Sequence, residues 1–253
     1  MNRPRKELSP AEIKKLYGRS GNRCAFAGCR RLLVLEATEA DSTKQIGERA
    51  HIVGHSDDGP RGDPDFPRDQ LDTYENSILL CPACHAQVDA HPNTYTVDNL
   101  RTIKTDHERW VKSTLAAAMP SVGFPELEVV AKAIASPPST PTDDFTITAP
   151  REKMAKNRLT SNVEYYINIG LIRSGDVRCY LQNMSTFDPD FPERLKSGFF
   201  SAYHRFREQG MDDDALFEAM REFASCGSHD FKRQAAGLAV LVYLFESCEV
   251  FEK

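Results

Sequence analysis

Two close pairs of cysteines constrain this chain more than any other feature. Cys24 and Cys29 are separated by four residues, and Cys81 and Cys84 by two. Cysteines paired at such short spacings are typical of knuckles that bind one zinc ion through four thiolates. Chance pairing of buried cysteines is the alternative. We favour a structural zinc site, which would have no open position because four thiolates complete the tetrahedron.

The composition places the chain among soluble globular proteins of the cytoplasm. Hydrophobic residues make up 40% and charged residues 27% of the 253 positions. No apolar run approaches the roughly 20 residues that cross a bilayer, and the N-terminus lacks the apolar segment of a signal peptide. We therefore expect no membrane contact and no disulfides. The three scattered cysteines, Cys179, Cys226 and Cys248, are expected to be small buried side chains.

Composition also divides the chain into three regions. Residues 1–118 hold four of the seven cysteines and five of the seven histidines, so metal chemistry is expected there. Residues 119–150 are rich in Pro, Ser and Thr and are predicted to be a linker, with FPELEVVAKAI as one short helix within it. Residues 151–253 show apolar residues at helical spacing, which predicts a domain of four or five helices.

The first region mixes strand and helix signals. SPAEIKKLYGRSG predicts a helix in which Ser9 is the N-cap and Glu12 completes a capping box. RLLVLE and the segment around His51 are strand-like, and NSILLCPACHAQVDA runs from a strand into a helix. A last helix is expected from about 97 to 117. The predicted fold class is α+β, followed by a mostly α-helical C-terminal domain.

His85 and Asp89 follow the second cysteine pair and need a separate explanation. If a helix begins near Cys84, His85 lies about 100° around it and points away from the thiolates. Residues four apart share a face, so His85 and Asp89 can converge on a second ion that keeps open positions for water and substrate. A surface histidine beside a helical aspartate is the alternative, and these two residues alone do not decide between the two.

Residues further upstream favour the second ion. The residues concerned are, in chain order, Cys24, Cys29, AHI with His51, Asn76, Cys81, Cys84 and His85. Their order and spacing resemble those of the HNH endonucleases, whose ββα-metal fold is often stapled by a four-cysteine zinc. The match covers about residues 20–112.

The resemblance implies a role for each matching residue. His51 would be the general base that deprotonates the attacking water, and Asn76 would orient the loop and the base. His85 would bind a catalytic divalent ion, Mg²⁺ or another, and Asp89 matches a further metal ligand of some members. One position departs from the family: Ala50 stands where many members have a metal ligand. The candidates to replace that ligand are Glu48, His55, Asp57 and His91.

Charge predicts contact with an anionic polymer. The net charge is -5, yet the first 35 residues hold nine Lys and Arg against two acidic residues. Such a stretch could contact a DNA backbone without sequence preference, although a solvated charged surface is the alternative. The basic residues are Arg3, Arg5, Lys6, Lys14, Lys15, Arg19, Arg23, Arg30 and Arg31.

The C-terminal region predicts assembly. The run from Ala235 to Phe245 is apolar all round, so its helix is central to a core or pressed into an interface. The tail YLFESCEVFEK resembles the C-terminal module of bacterial ABC-three-component conflict systems. This resemblance implies a homo-oligomer or a subunit of a multi-component complex, with an ATPase among the candidate partners.

These observations together predict a metal-dependent HNH endonuclease that hydrolyses DNA phosphodiester bonds. The segments AHIVGHSDDGPRGD, ENSILLCPACHAQVD and LRTIKTDHERW resemble the HNH nucleases of bacterial restriction and antiphage systems, and this resemblance implies a defence setting. Two alternatives remain. One is a non-catalytic zinc module that binds nucleic acid. The other is a scaffold that recruits an ATPase, with a nuclease site made inactive by Ala50.

Overall fold

The computed structural model describes residues 7–135, 150–247 and 251. By its internal contacts the chain divides into two units, Met1–Val111 and Lys112–Lys253. Residues 136–149 of the predicted linker, together with Cys248, lie outside the described residues. Each unit has its own hydrophobic core.

The N-terminal unit combines short antiparallel strands with helices, which agrees with the predicted α+β class. β1 pairs with β2 and β3 with β4, in two separate sheets. Its elements, in chain order, are α1 (Pro10–Arg19), β1 (Val34–Leu35), β2 (Lys44–Gln45), β3 (Glu48–His51), a 3₁₀ turn (Arg68–Gln70), β4 (Ser77–Leu80), α2 (Pro82–Ala90) and α3 (Val97–Ala118). The last seven residues of α3 belong to the second unit.

Helix α1 begins as its sequence predicts, but half of the expected capping box is absent from the described contacts. The Ser9 hydroxyl accepts a hydrogen bond from the Glu12 backbone N–H at 3.2 Å. The Glu12 carboxylate instead binds Lys15 at 2.9 Å and the backbone N–H of Tyr74 at 2.6 Å. A tertiary contact to the loop before β4 has replaced the local one.

Strands β3 and β4 lead directly into α2 and position the residues of interest. They pair with Glu48 opposite Leu80 and His51 opposite Ser77. Every residue of β4 is buried, so this strand anchors the sheet in the core of the unit. Because α2 begins two residues after β4, the chain passes from the sheet into the helix without a loop.

The second unit is helical. Six helices lie between residues 150 and 247, where four or five were predicted. The additional helix is the short α5. In chain order, after the end of α3, the helices are α4 (Phe124–Ile134), α5 (Pro150–Lys156), α6 (Ser161–Leu171), α7 (Ser174–Phe187), α8 (Phe191–Glu208), α9 (Asp213–Ala224) and α10 (Phe231–Glu246).

Helix α10 is central to this unit. It packs against α4, α6, α7 and α9. Gly170 of α6 allows close approach, because a Cβ there would lie 2.6 Å from the Val242 side chain. Of the two explanations for the all-round apolar sequence of α10, burial in a core is sufficient.

Helix α4 extends the helical unit into the predicted linker. Its side chains Leu127 and Val130, three residues apart, are fully buried among the other helices. The short helix expected from FPELEVVAKAI is therefore present, but as part of the core. By contacts, residues 112–135 belong with the helical unit.

Two of the scattered cysteines depart from the expectation of burial. Cys179 and Cys226 are exposed. Val177, Tyr180 and Leu181 form the buried face of α7, and helical periodicity turns Cys179 away from it. Among the described helices, none has both the length and the apolar character that crossing a bilayer requires.

Candidate metal centre and active site

The four paired cysteines lie together. Cys24 and Cys29 follow α1, whereas Cys81 caps the N-terminus of α2 and Cys84 lies in its first turn. Their sulfur atoms all lie within 4.8 Å of one another, and those of Cys29 and Cys81 are 3.9 Å apart. A tetrahedral zinc with Zn–S distances of about 2.3 Å holds its sulfurs about 3.8 Å apart. The cluster therefore fits a zinc ion.

The chemistry of these thiols also fits a cation. Burial raises the pKa of Cys24 to about 11, and burial with the neighbouring Cys81 raises the pKa of Cys84. Burial acts in the same direction on Cys81, but hydrogen bonds from Cys84 and the other cysteines outweigh it and lower the pKa of Cys81. Four thiolates in this space would repel one another, so the deprotonated set requires a positive ion.

His85 does not join the cysteine cluster, as the helix geometry predicts. Its Nδ1 lies 2.8 Å from Oε2 of Glu48 on β3, and its Nε2 lies 3.5 Å from Oδ2 of Asp89, one turn along α2. The two carboxylates thus flank different nitrogens of one imidazole. An ion held by either nitrogen would have one carboxylate beside it.

The position of Ala50 explains how Glu48 comes to be next to His85. Residues two apart on a strand share a face, so Glu48 and Ala50 lie on the same side of β3. Ala50 is fully buried in the core, while Glu48 lies at the exposed start of the strand. The carboxylate thus lies two residues before Ala50, on the same face of the strand.

The other three candidates for a further ion ligand form contacts with residues other than His85. The His55 ring stacks edge-on against His51, with centroids 5.7 Å apart. Asp57 forms an ion pair with Arg68 at 2.6 Å. His91 is an exposed residue at the C-terminal end of α2. Of the four candidates, Glu48 is the one in hydrogen-bond contact with His85.

Arg61 holds the loop between β3 and the 3₁₀ turn against both β3 and α2. Its side chain is only 4% exposed. The guanidinium donates hydrogen bonds to the backbone carbonyls of His51 at 3.3 Å, Ile52 at 3.2 Å and Val88 at 2.9 Å. It also pairs with Oδ1 of Asp89 at 2.8 Å. Asp89 is therefore shared between Arg61 and His85.

His51 is buried and paired with an aspartate that the sequence did not single out. Its Nε2 lies 2.9 Å from Oδ1 of Asp72, and Arg49 donates to the same oxygen at 3.1 Å. Burial lowers the pKa of His51; Arg49 and His55 act in the same direction, and Asp72 opposes them. The net shift is downward, so the imidazole is neutral at pH 7 and can accept a proton.

Asn76 is a buried clamp between two loop segments. Its side-chain oxygen accepts from the backbone N–H of Val53 at 2.8 Å. Its amide nitrogen donates to the carbonyls of Val53 at 3.1 Å and Leu71 at 3.0 Å. These bonds tie the end of β3, just after His51, to the residue before Asp72.

One cavity of about 140 Å³ is lined by three histidines and one aspartate, namely His51, His55, His85 and Asp89. His51, His85 and Asp89 all contribute to its wall, whereas Asn76 does not. Among the lining residues are Arg49, His51, His55, Arg61, His85 and Asp89. The elements β3 and α2 and the loop that follows β3 thus bring the predicted base and the predicted ion ligands to a single opening.

Two of the basic residues that were predicted to contact DNA pack against aromatic rings of the N-terminal unit. Arg19 is buried with its guanidinium 4.7 Å from the Tyr74 ring, and Arg30 lies 4.4 Å from the Trp110 ring. Aromatic faces attract such cations, which explains their inward position. Arg31 is exposed. Three of the basic residues lie outside the described part: Arg3, Arg5 and Lys6.

Three residues of this site were missed from the sequence: Arg49, Arg61 and Asp72. Period-2 alternation places Arg49 on the face of His51 and could have found it. The glycines around Arg61 indicate a tight loop, but not where its side chain goes. No sequence pattern distinguishes Asp72 from the other acidic residues of its loop.

Comparisons with known proteins add no relative. No protein-family model matches the chain. A search of curated proteins finds no match either.

Proposed function

We propose that the N-terminal unit is a metal-dependent endonuclease of the HNH type that hydrolyses phosphodiester bonds in DNA. The observation that carries the proposal is the shared cavity. A buried neutral histidine, His51, and a histidine flanked by two carboxylates, His85, open onto it together. A proton acceptor beside a candidate ion site is the minimum that metal-assisted phosphodiester hydrolysis requires.

In this proposal His51 accepts the proton of the attacking water. Its lowered pKa keeps the ring neutral at pH 7, which is the form a general base needs. Asn76 joins the backbone just after this histidine, at Val53, to Leu71 by three hydrogen bonds. We assign Asn76 to positioning, since its side chain is buried in these contacts.

His85 and Asp89 hold the catalytic ion in this proposal, through Nε2 of His85 and Oδ2 of Asp89, while Glu48 at Nδ1 orients the imidazole. One imidazole and one carboxylate, with the remaining positions open to water and substrate, suit a divalent ion such as Mg²⁺. When bound, such an ion stabilises charge on the phosphate and on the leaving oxygen. Arg61 neutralises one oxygen of Asp89 and leaves the other beside His85.

The four-cysteine zinc has a structural part in the proposal. Cys81 and Cys84 lie at the start of α2, and His85 is the next residue. Fixing the first turn of α2 therefore also fixes His85. The alternative, a zinc module that binds nucleic acid without cleaving it, accounts for the cysteines but leaves the His51 and His85 surroundings unexplained.

Cleavage of supercoiled plasmid by the full chain tests the proposal. We expect nicking in Mg²⁺ or Mn²⁺ and none in EDTA. His51→Ala should lower the rate by roughly 10² to 10⁴, the loss typical of a general base. His85→Ala should abolish it. A parallel assay on RNA of the same sequence tests the DNA preference.

His204→Ala is the matched control, because it removes an exposed histidine from the helical unit. It should cleave as the wild type does. If the zinc-loaded wild type cleaves nothing with any divalent ion but still binds DNA, the non-catalytic alternative is correct. If His51→Ala cleaves normally, the base is a different residue and His55 is tested next.

We propose that the helical unit serves assembly in a bacterial defence complex, on the resemblance of the C-terminal tail. Burial of α10 within its own unit removes one reason for expecting an interface, so the proposal depends on that resemblance. Light scattering of the full chain tests self-association, and copurification with an ATPase partner tests the complex. A monomer that retains no partner contradicts it.

A further inference from the structure

Asp72 meets His51 through an arrangement that fixes both partners. Arg49 and His51 are two residues apart on β3 and therefore share a face. Oδ1 of Asp72 accepts from both, at 3.1 Å from Arg49 and 2.9 Å from Nε2 of His51. The Asp72 side chain is 13% exposed and that of His51 is 9% exposed. The contact is thus largely shielded from water.

The loop that carries Asp72 is held in register with the strand that carries His51. Asn76 donates to the carbonyl of Leu71, next to Asp72, and exchanges two hydrogen bonds with Val53, two residues after His51. A single buried amide therefore joins the backbone beside the aspartate to the backbone beside the histidine. The distance between Asp72 and His51 is set by this clamp.

The hydrogen-bonding capacity of the two groups decides which ring nitrogen carries the proton. A carboxylate only accepts hydrogen bonds, so Nε2 of a neutral His51 must be the protonated nitrogen. Nδ1 makes no hydrogen bond within the described residues. The other charged or titratable groups that act on the ring are Arg49 on the same strand and His55 in the following loop. The His55 ring lies 5.7 Å from the His51 ring, centroid to centroid, and within the described residues neither group forms a hydrogen bond with Nδ1 of His51.

We propose that Asp72 is the positioning residue for His51: it holds the imidazole as the Nε2–H tautomer and leaves Nδ1 to accept the proton from water. In the step itself, the water O–H bond breaks, its proton moves to Nδ1, and the oxygen uses the electron pair to form a bond to phosphorus while the bond from phosphorus to the leaving oxygen breaks; the leaving alkoxide then takes a proton from solvent water. The part that Nδ1 takes in the reaction rests on the proposed function, whereas the assignment of the tautomer does not.

The tautomer can be measured without any assay of cleavage. The ¹⁵N chemical shifts of the imidazole nitrogens distinguish the two tautomers in full-length, zinc-loaded protein, and His51→Gln identifies the signals. We expect His51 as Nε2–H in the wild type above its pKa. Asp72→Asn should lower the Nε2–H fraction, since an amide can also donate to Nε2. Asp69→Asn, an exposed aspartate of the neighbouring 3₁₀ turn, is the matched control and should change nothing.

Kinetics then separate positioning from a structural role. Asp72→Asn should lower kcat about 10²-fold, with zinc content and urea midpoint equal to those of Asp69→Asn. A wild-type His51 protonated on Nδ1 overturns the inference, as does a tautomer fraction that Asp72→Asn leaves unchanged. A rate loss fully explained by loss of folded protein also overturns it. If no variant cleaves DNA, the proposed function fails, and the tautomer measurement still decides the role of Asp72.

Discussion

Replacing Arg61 with Met tests how the wall of the cavity is held in place. The substitution keeps an unbranched side chain and removes every donor. Three backbone carbonyls then lose the guanidinium, and Asp89 loses its ion pair. Of the three carbonyls, that of Val88 depends most on the Arg61 guanidinium as its hydrogen-bond donor. Its helical donor would be residue 92, which is Pro92 and has no N–H.

The expected cost follows from these contacts. A buried carbonyl left without its donor costs roughly 1–3 kcal/mol. Water reaches part of the vacated space, so we count about 1 kcal/mol for each of the three. The Asp89 carboxylate is 49% exposed, and such a pair adds about 0–1 kcal/mol. The sum is about 3 kcal/mol of unfolding free energy.

Trp110 provides the assay, because the single tryptophan of the chain lies in the N-terminal unit. With a urea slope of about 2 kcal/mol per M, the fluorescence midpoint of zinc-loaded protein should fall by about 1.5 M. Arg68→Met, at the start of the 3₁₀ turn that follows this loop, is the matched control, since Arg68 is 36% exposed and pairs with an exposed aspartate. It should leave the midpoint unchanged. Equal midpoints for the two variants would refute the reasoning.

Three further perturbations test separate parts of the N-terminal unit. His85→Ala should keep about one zinc per chain by metal analysis, whereas Cys81→Ser should lose both its zinc and its folded structure. Loss of zinc from His85→Ala would mean that His85 belongs to the cysteine site and that there are not two separate sites. Because burial lowers the pKa of His51 below 6.5, cleavage should be undiminished at pH 7 and should fall only as pH drops through that lowered pKa; a midpoint above 6.5 would contradict this. Gly62→Ala should abolish cleavage but retain zinc, because its Cβ would meet a backbone oxygen at 2.2 Å, whereas Gly28→Ala meets nothing within 4 Å and should behave as wild type.

The sequence predicted the local features of the fold well. The Cys81 and Cys84 spacing indicated a cluster with the first pair, and the 100° rotation per residue correctly turned His85 away from it. Both follow from local backbone geometry, which the order of residues determines. The start of α1 at Ser9 was predicted for the same reason.

Contacts between distant segments were less predictable. Glu12 was expected to complete a capping box and instead binds the backbone of Tyr74. Asp72 reaches His51 because of the path of a loop, and no periodicity encodes that path. The apolar spacing in α4 was visible, but the surrounding Pro, Ser and Thr residues suggested a linker. In each case the outcome depends on which other segment lies nearby.

The nine residues of α2 carry a consequence for how proteins of this kind can vary. Cys84 belongs to the cysteine cluster, while His85 and Asp89 face a cavity. The directions of all three side chains are determined by their positions around the axis of the same short helix. One residue inserted between Cys84 and Asp89 would turn the later ones by about 100°. The exposed stretch between β1 and β2 carries no such restriction. In related sequences we expect insertions there and a fixed count of residues from Cys81 to Asp89.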